Sequence, residues 1–533
     1  MDFLFLGQEA PPVPRPTPES LTAAIIGIAV FLIISTGIGF YMMRKARTYE
    51  EWLVGHRDIG PVVTGFALVA TWLSGWAIFG NAGLSYTYGW SGGWLIGMMN
   101  IMGIAICAVL GYRMRRYAEL GARTVPEVLR VRFESRVAQS LAAIAMIILL
   151  IVYSVGQFKA MATVWMATTG SPWLWSVLAA AILVFVYMAV GGYAGTQYAL
   201  FFQGVLLTIT SWGIGIAALA WAGPANIVSR LMTDTFVAPG GKVTPLSLGG
   251  YTLPLHELVG PKGLAYPGAD WLGASAVIFM FLFMATGFPH NIARFLGVRK
   301  VERREFWILM ACVIIGSTSP LWVGVQGLAA RAFWGGALMS KEFAPMYGDA
   351  AAIEIALAMG PGVAGLLAAG VFAAAVATLA GMVMIMAANV TRDLIYIYKP
   401  DISPRALLWA TRILLIPFIF LPFYWTVTAP PPVLAEFMSG AAVGQAGIFF
   451  TTVAISMYWK RATKWGAIAA IIYGIILTLF HPKVFGPTVG LFHWGIWAML
   501  TIFGCMLVYF VFSLVTKPLP PEKLERLFAP RAA

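Results

Sequence analysis

Residues 65–81 read Gly65-Phe66-Ala67-Leu68-Val69-Ala70-Thr71-Trp72-Leu73-Ser74-Gly75-Trp76-Ala77-Ile78-Phe79-Gly80-Asn81. Thr71, Ser74, Gly75 and Gly80 interrupt an otherwise apolar run. Such a run belongs to a helix in hydrocarbon, yet glycine in a helix interior costs ~1 kcal/mol against alanine. Two readings are open. Either the small residues let membrane helices pack closely, or the helix breaks and exposes polar backbone at mid-membrane, where a substrate can be held.

The whole chain supports a membrane setting. Its 533 residues are 60% hydrophobic and 11% charged, with a mean hydropathy of +0.82; soluble domains carry about 25% charged residues. A soluble enzyme and a disordered chain are both excluded. Cys107, Cys312 and Cys505 lie in apolar runs and form neither a disulfide framework nor a zinc spacing. The five histidines are scattered, which argues against a membrane enzyme, and no organic cofactor is expected. A net charge of +13 would suit nucleic acid, but the charges sit in short clusters between apolar segments, without interleaved aromatics. They read as topology, with the lipid bilayer as partner and no nucleic acid.

At ~20 residues per crossing, helices are expected at 20–43, 60–86, 92–113, 136–168, 172–190, 196–221, 270–297, 305–335, 361–394, 405–428, 433–457, 463–480 and 492–516. Segments 136–168 and 361–394 exceed the bilayer thickness and must tilt or project. Basic clusters follow alternate spans: Arg44, Lys45 and Arg47; Arg113, Arg115, Arg116, Arg123, Arg130, Arg132 and Arg136; Arg294, Arg299, Lys300, Arg303 and Arg304; Arg392 and Lys399; Lys460, Arg461 and Lys464; then Lys517. The opposite loops are poor in them; the longest, 222–269, holds Arg230, Lys242 and Lys262. The amino terminus is therefore expected outside and the carboxyl terminus inside a plasma membrane, with an odd span count. The proline-rich start lacks the basic region of a signal peptide.

A second interruption closes the seventh span, Ala285-Thr286-Gly287-Phe288-Pro289-His290-Asn291-Ile292-Ala293-Arg294-Phe295. Pro289 removes a donor and frees a carbonyl one turn earlier. It reads either as a simple proline kink or as the counterpart of the break near Ser74, five spans on; paired breaks point to a transporter built from inverted repeats. In the ninth span, Phe372-Ala373-Ala374-Ala375-Val376-Ala377-Thr378-Leu379-Ala380-Gly381-Met382 isolates one hydroxyl, Thr378. It can bond back to its own helix or join carbonyls freed by a break around a sodium ion.

Together these segments resemble the solute:sodium symporter family over nearly the whole chain. The resemblance rests on Ser74-Gly75-Trp76 with Gly80, on Gly191-Gly192 before the sixth span, and on Gly287-x-Pro289-His290-x-x-x-Arg294-Phe295, which is similar to a motif of the acetate and proline branches. It also rests on Ala374 to Asp393, ending Thr391-x-Asp393-x-x-Tyr396. The resemblance implies an all-α polytopic membrane protein of about thirteen transmembrane helices. Its core would be a five-plus-five inverted repeat of the leucine-transporter type, with broken helices at spans two and seven and alternating access. The implied divisions are 1–19 external, 20–43 an additional first helix, 60–221 the first repeat, 222–269 an external loop, 270–457 the second repeat, 463–516 two peripheral helices and 517–533 a cytoplasmic tail. The implied sodium site uses carbonyls of Ala70, Leu73 and Ala374 and the hydroxyl of Thr378. Ala377 lies beside them where the family often has a second hydroxyl, and Leu200 stands where many members have an aspartate serving a second sodium. One coupling sodium is expected rather than two, and proton coupling stays open.

Substrate contacts are expected from Thr71, Ser74, Gly75 and Trp76 of the second span, from Tyr153, Gln157 and Lys159 of the fourth, which lines the cavity in the family, and from Gln445 of the eleventh. Tyr153 and Gln157 share a helix face. Lys159 has three readings: pairing with an organic anion, carrying a proton, or snorkelling to a polar layer. Gln445 can equally bond another helix. His290 is expected to cap or bond the broken helix within the motif Gly287, Pro289, His290, Arg294. The run Tyr86-Thr87-Tyr88-Gly89-Trp90 and Trp94 read as interfacial anchors first and as part of an outer gate second. Ala77 after Trp76 argues against a sugar.

The leading expectation is a sodium-coupled symporter of a small organic anion such as acetate, lactate or pyruvate. The alternatives are a sodium/proline-like symporter, because Ser74-Gly75-Trp76 looks closer to that branch, and a proton-coupled monocarboxylate carrier. A membrane sensor on this fold would need an appended signalling domain, and 17 residues follow Thr516.

Overall fold

The computed structural model describes residues 11–43, 59–191, 196–234, 237–238, 240–243, 246–248, 251–253, 271–297, 303–431, 434–480 and 494–528. Helix dominates them, as it must where no water can pair with the backbone. In chain order the helices are α1 (Pro18–Met43), α2 (Pro61–Trp72), α3 (Asn81–Tyr88), α4 (Trp90–Glu119), α5 (Val125–Phe133), α6 (Arg136–Thr169), α7 (Trp173–Gly191), α8 (Thr196–Ala222), α9 (Pro224–Thr233) and α10 (Trp271–Gly287). They continue with α11 (Pro289–Ile292), α12 (Arg303–Ser317), α13 (Ser319–Trp334), α14 (Ala351–Met359), α15 (Pro361–Ala388), α16 (Pro404–Thr428), α17 (Leu434–Gln445), α18 (Lys464–Leu479), α19 (Trp494–Val515) and α20 (Pro521–Phe528). Every stretch expected to span coincides with helix. Among the described residues eight stretches are long and apolar enough to cross a bilayer, or nine when the bent pair Pro61–Trp72 and Trp76–Tyr88 is one span; four shorter apolar helices accompany them.

Local chemistry sets the helix starts. Prolines open α2, α9, α15 and α16, where the missing N–H has no intrahelical partner to lose. Thr124, Ser135, Ser403 and Thr463 accept the backbone N–H of Glu127, Ala138, Ala406 and Gly466, satisfying donors left open at a helix start.

The centre of the bundle is α15, whose apolar window is 94% buried, against 22% for α1 and 28% for α16. Helix α1 lies against α15 at glycines: a Cβ on Gly27 would stand 2.3 Å from the Gly365 carbonyl oxygen, and one on Gly365 2.5 Å from that of Ala23. This is the close approach small residues allow.

Several elements depart from the sequence reading. The span expected over 305–335 is present as one apolar stretch, Arg303–Trp334, with a local turn at Thr318, ahead of Pro320, between α12 and α13. Past α15 the chain continues as a wider π-type turn over Asn389–Tyr396. Residues 336–360, left unassigned by hydropathy, form three short 3-10 turns and the buried helix α14. The loop between α8 and α10 carries α9 and two small antiparallel hairpins, β1 (Val237–Ala238) with β2 (Lys242–Val243) and β3 (Leu246–Leu248) with β4 (Tyr251–Leu253). Gly240 and Gly241, at φ +93° and +81°, turn the first hairpin. Arg44, Lys45, Arg47, Gly192, Lys262, Arg299, Lys300 and the side chains of Trp90 and Trp94 lie outside the described residues.

Basic clusters from distant loops meet at one end of the bundle. Arg132 donates to the carbonyls of Ser456, Trp459 and Lys460. Arg116 donates to that of Arg526, and Arg461 to those of Leu514 and Thr516. Lys523 pairs with Glu134 at 2.6 Å.

Candidate functional site

The run over residues 65–81 breaks. Helix α2 ends at Trp72, and Trp76–Tyr88 leaves at 61° to it. The last regular bond is Leu73 N–H to the Val69 carbonyl. Ser74 N–H then turns to the Trp72 carbonyl, and Gly75 N–H to Oε1 of Gln157 at 2.9 Å. In an unbroken helix those two donors would serve Ala70 and Thr71, so both carbonyls are released. A side chain at position 75 has no room: a Cβ there would lie 2.5 Å from that of Ala160 and 3.2 Å from Gln157 Oε1.

The released carbonyls face Thr378. Its Oγ1 is 3.5 Å from the carbonyl oxygens of both Ala70 and Thr71 and donates to that of Ala374 at 3.0 Å. Back-bonding within its own helix and facing the break are therefore one arrangement. Ala377 packs with Ala67, Ala70 and Leu200 in a small apolar cluster beside these oxygens. The side chain of Thr71 bonds back to the Ala67 carbonyl, so this residue offers its carbonyl rather than its hydroxyl.

The second break is at Phe288, whose extended backbone (φ −74°, ψ 110°) separates α10 from α11. Pro289 has no N–H, which frees the Ala285 carbonyl. Gly287 lets this break seat on α17, since a Cβ there would meet the Gln445 carbonyl oxygen at 2.5 Å.

Aromatic rings from both breaks, from α6 and from α10 pack against one another and form a buried aromatic enclosure between the breaks. Trp76 lies 6.2 Å from Tyr153 and 5.2 Å from Phe281, ring centre to ring centre. Phe288 lies 5.2 Å from Tyr153, 5.4 Å from Trp72 and 4.8 Å from His290. Tyr153 Oη is 3.2 Å from Ser74 Oγ, which also accepts the Trp76 N–H. Trp76 is 4% exposed, while Ser74, Tyr153, Gln157 and His290 are at 1% or less. Within this buried region several polar atoms have no hydrogen-bond partner: Gln157 Nε2, the indole nitrogens of Trp72 and Trp76, both ring nitrogens of His290, and both amide atoms of Asn291 and Gln445. Orphaned polar groups in a dry core are costly, and a polar ligand would satisfy them.

Three expectations need correction or sharpening. His290 does not bond the broken helix; its ring packs on Phe288 while both nitrogens stay unpaired. Gln445 makes no side-chain bond to another helix. Lys159 does not snorkel, and a counter-charge for it comes from within the chain. It is wholly buried, and its Nζ lies 2.5 Å from Oδ2 of Asp349, because an ammonium in hydrocarbon requires a counter-charge. Arg294 is buried against Gly381 of α15.

The sequence reading missed Asp349, and it missed a second polar network beyond the far end of α15. There Glu127 Oε1 accepts from Arg392 at 2.8 Å and Oε2 from the Arg123 N–H. Asp393 Oδ1 accepts from Thr124 and Gln139. The signal for Asp349 was Lys159 itself, a buried cation that demands a carboxylate; nothing local says which one.

A model of the sodium:solute symporter family matches residues 52–474. The chain belongs to the sodium:solute symporter family. It is 24% identical over 469 residues to the osmoregulated proline transporter OpuE of Bacillus subtilis (strain 168), covering 85% of this chain and 88% of that protein. It is 23% identical over 476 residues to the sodium/proline symporter 2 of Staphylococcus saprophyticus, covering 85% of each. The fold is that of a sodium-coupled sialic acid symporter solved in a substrate-bound, outward-open state: TM-score 0.67 and 16% identity, over 93% of this chain and 98% of that one. This symporter is thus a multi-pass membrane protein that couples sodium to a small solute.

The Gln157–Gly75 bond supplies a prediction. Gln157→Ala leaves a buried N–H unpaired, which costs ~1–3 kcal/mol, and removes the unpaired Nε2 from the aromatic enclosure. The expected result is a KM about tenfold higher at saturating sodium, the equivalent of ~1.4 kcal/mol. Calorimetric affinity equal to wild type would take Gln157 out of the substrate site.

Proposed function

We propose that this symporter uses sodium to carry a small zwitterion of the proline type, by alternating access at the enclosure between the two breaks. The observation that carries this reading is the Lys159–Asp349 pair. It neutralises the deeply buried ammonium on α6, so Lys159 leaves no net positive charge for an anionic solute. A zwitterion brings its own balance. Its carboxylate would lie toward sodium at Ala70, Leu73, Ala374 and Thr378, with Ala377 alongside. Its amine would lie against the faces of Trp76, Tyr153 and Phe288, where aromatic rings favour a cation. Gln157, His290 and Gln445 would supply the remaining hydrogen bonds. The proline transporters among its relatives agree with this class.

In this proposal residues 60–221 and 270–457 are the two inverted repeats, 463–516 are peripheral, and residues 1–19 lie outside the cell. The gathered basic face and the tail 517–533 lie in the cytoplasm, as the positive-inside rule favours. A monocarboxylate is the second reading, favoured by Gly287-x-Pro289-His290 and because a bound sodium ion can itself balance a lone carboxylate.

Charge movement separates the two. A zwitterion with one sodium moves one net charge, worth ~2.3 kcal/mol per 100 mV, whereas a monocarboxylate with one sodium moves none. Proteoliposomes should take up labelled proline on a sodium gradient, faster under an inside-negative potential. Uptake of acetate, lactate or pyruvate without proline, indifferent to potential, would establish the second reading. Uptake that runs equally on a proton gradient without sodium would end both.

A further inference from the structure

Asp349 lies on the short turn Tyr347–Ala350, outside the enclosure, and touches three membrane helices. Its Oδ2 accepts from Lys159 Nζ of α6 at 2.5 Å and from the Leu434 N–H at the start of α17 at 3.0 Å. Its Oδ1 sits over Gly83 of α3, where a Cβ would come within 2.3 Å. Position 83 is eight residues beyond Gly75, on the side of the break away from Glu127 and Arg392. Next to it Gly348 packs over Thr87, a Cβ there standing 3.0 Å from Thr87 Oγ1. Asp349 is 3% exposed, and Thr87 1%.

We propose that Asp349 is the positioning residue of the outer gate: its carboxylate draws α3, α6 and α17 together over the enclosure, and its bonds to Lys159 and Leu434 break when that face opens and re-form when it closes. The enclosure is shut off from solvent, so some element must move before a solute can enter. A buried ion pair suits a contact that is made and broken. In the dry closed state the attraction is strong. On opening, water reaches both ions, and their hydration offsets the lost attraction. Apolar packing gains no such return on exposure. The turn bearing Asp349 joins α13 to α14 rather than lying within a spanning helix, so it can swing without unwinding one.

The pair could instead be a static support, and labelling distinguishes the two. The full chain, with Cys107, Cys312 and Cys505 replaced by alanine and carrying Thr87→Cys, is placed in lipid nanodiscs, where a hydrophilic maleimide reaches both faces. The readout needs no substrate, so it stands apart from the zwitterion proposal. Asp349→Asn and Lys159→Met are each expected to raise the labelling rate in sodium at least tenfold. The double variant should rise no further, since both remove one contact. Uptake of whichever labelled compound the parent carries should fall at least tenfold, with its affinity held within threefold. Labelling within twofold of the parent in both single variants overturns the proposal. So does loss of affinity equal to the loss of uptake, which would place the pair in the binding site. Should Asp349→Asn fail to fold, Gly83→Ala displaces the carboxylate without removing charge and should give the same rise; a well-folded Gly83→Ala labelled at the parent rate also overturns it.

Discussion

Thr378→Val is expected to raise the sodium concentration for half-maximal uptake at least tenfold. Valine keeps the shape of threonine and removes only the hydroxyl, which stands 3.5 Å from the carbonyl oxygens of Ala70 and Thr71. Those carbonyls have lost their helical donors at the break, so they and Thr378 form an oxygen-lined corner between α2 and α15. A hard cation held mainly by carbonyl dipoles loses a substantial share of its binding with one oxygen, and the neighbouring Ala377 has none to substitute. Thr378→Ser keeps the oxygen and should stay within threefold of wild type. The measurement is initial uptake against external sodium at fixed membrane potential. A sodium dependence unchanged in Thr378→Val would move the ion elsewhere. The effect should not come from unfolding, since the Ala374 carbonyl that loses Thr378 also keeps the backbone bond of its own helix.

Arg392→Met should produce the largest loss of stability. Arg392 and Glu127 are 8% and 4% exposed in their side chains, and their ion pair ties α5 to the π-type turn after α15. Removing the guanidinium strands a buried carboxylate, at ~3–5 kcal/mol. Arg130, 3.9 Å from Glu127 but 46% exposed, compensates part of it, so the lower end of that range is expected. The midpoint of thermal unfolding in detergent should fall by about 5 °C. Adding Glu127→Gln should recover much of the loss, because the stranded charge then disappears. A midpoint unchanged in the single variant would show that water reaches this network and screens it.

The order of the helices, the basic face and the two breaks follow from properties of short windows of sequence. About twenty apolar residues must become helix in hydrocarbon whatever surrounds them, and Gly75 or Pro289 weakens the helix it occupies wherever that helix packs. The freed carbonyls facing Thr378 were legible for the same reason, since a break frees carbonyls within one turn of itself. Side-chain partners obey no such local rule. Gln157 reaches Gly75 across 82 residues and Lys159 reaches Asp349 across 190, and both bonds depend on how α6 is rotated against its neighbours. Hydropathy cannot see that rotation, because α6 is apolar on nearly every face. It also passes over residues 336–360, too short and too polar to span, although they fold into the turn that carries Asp349 and the buried helix that follows it. The sequence thus placed Lys159 inside an apolar span and left its role open, and only the packing of α3, α6 and α17 decided that a carboxylate of the chain balances it.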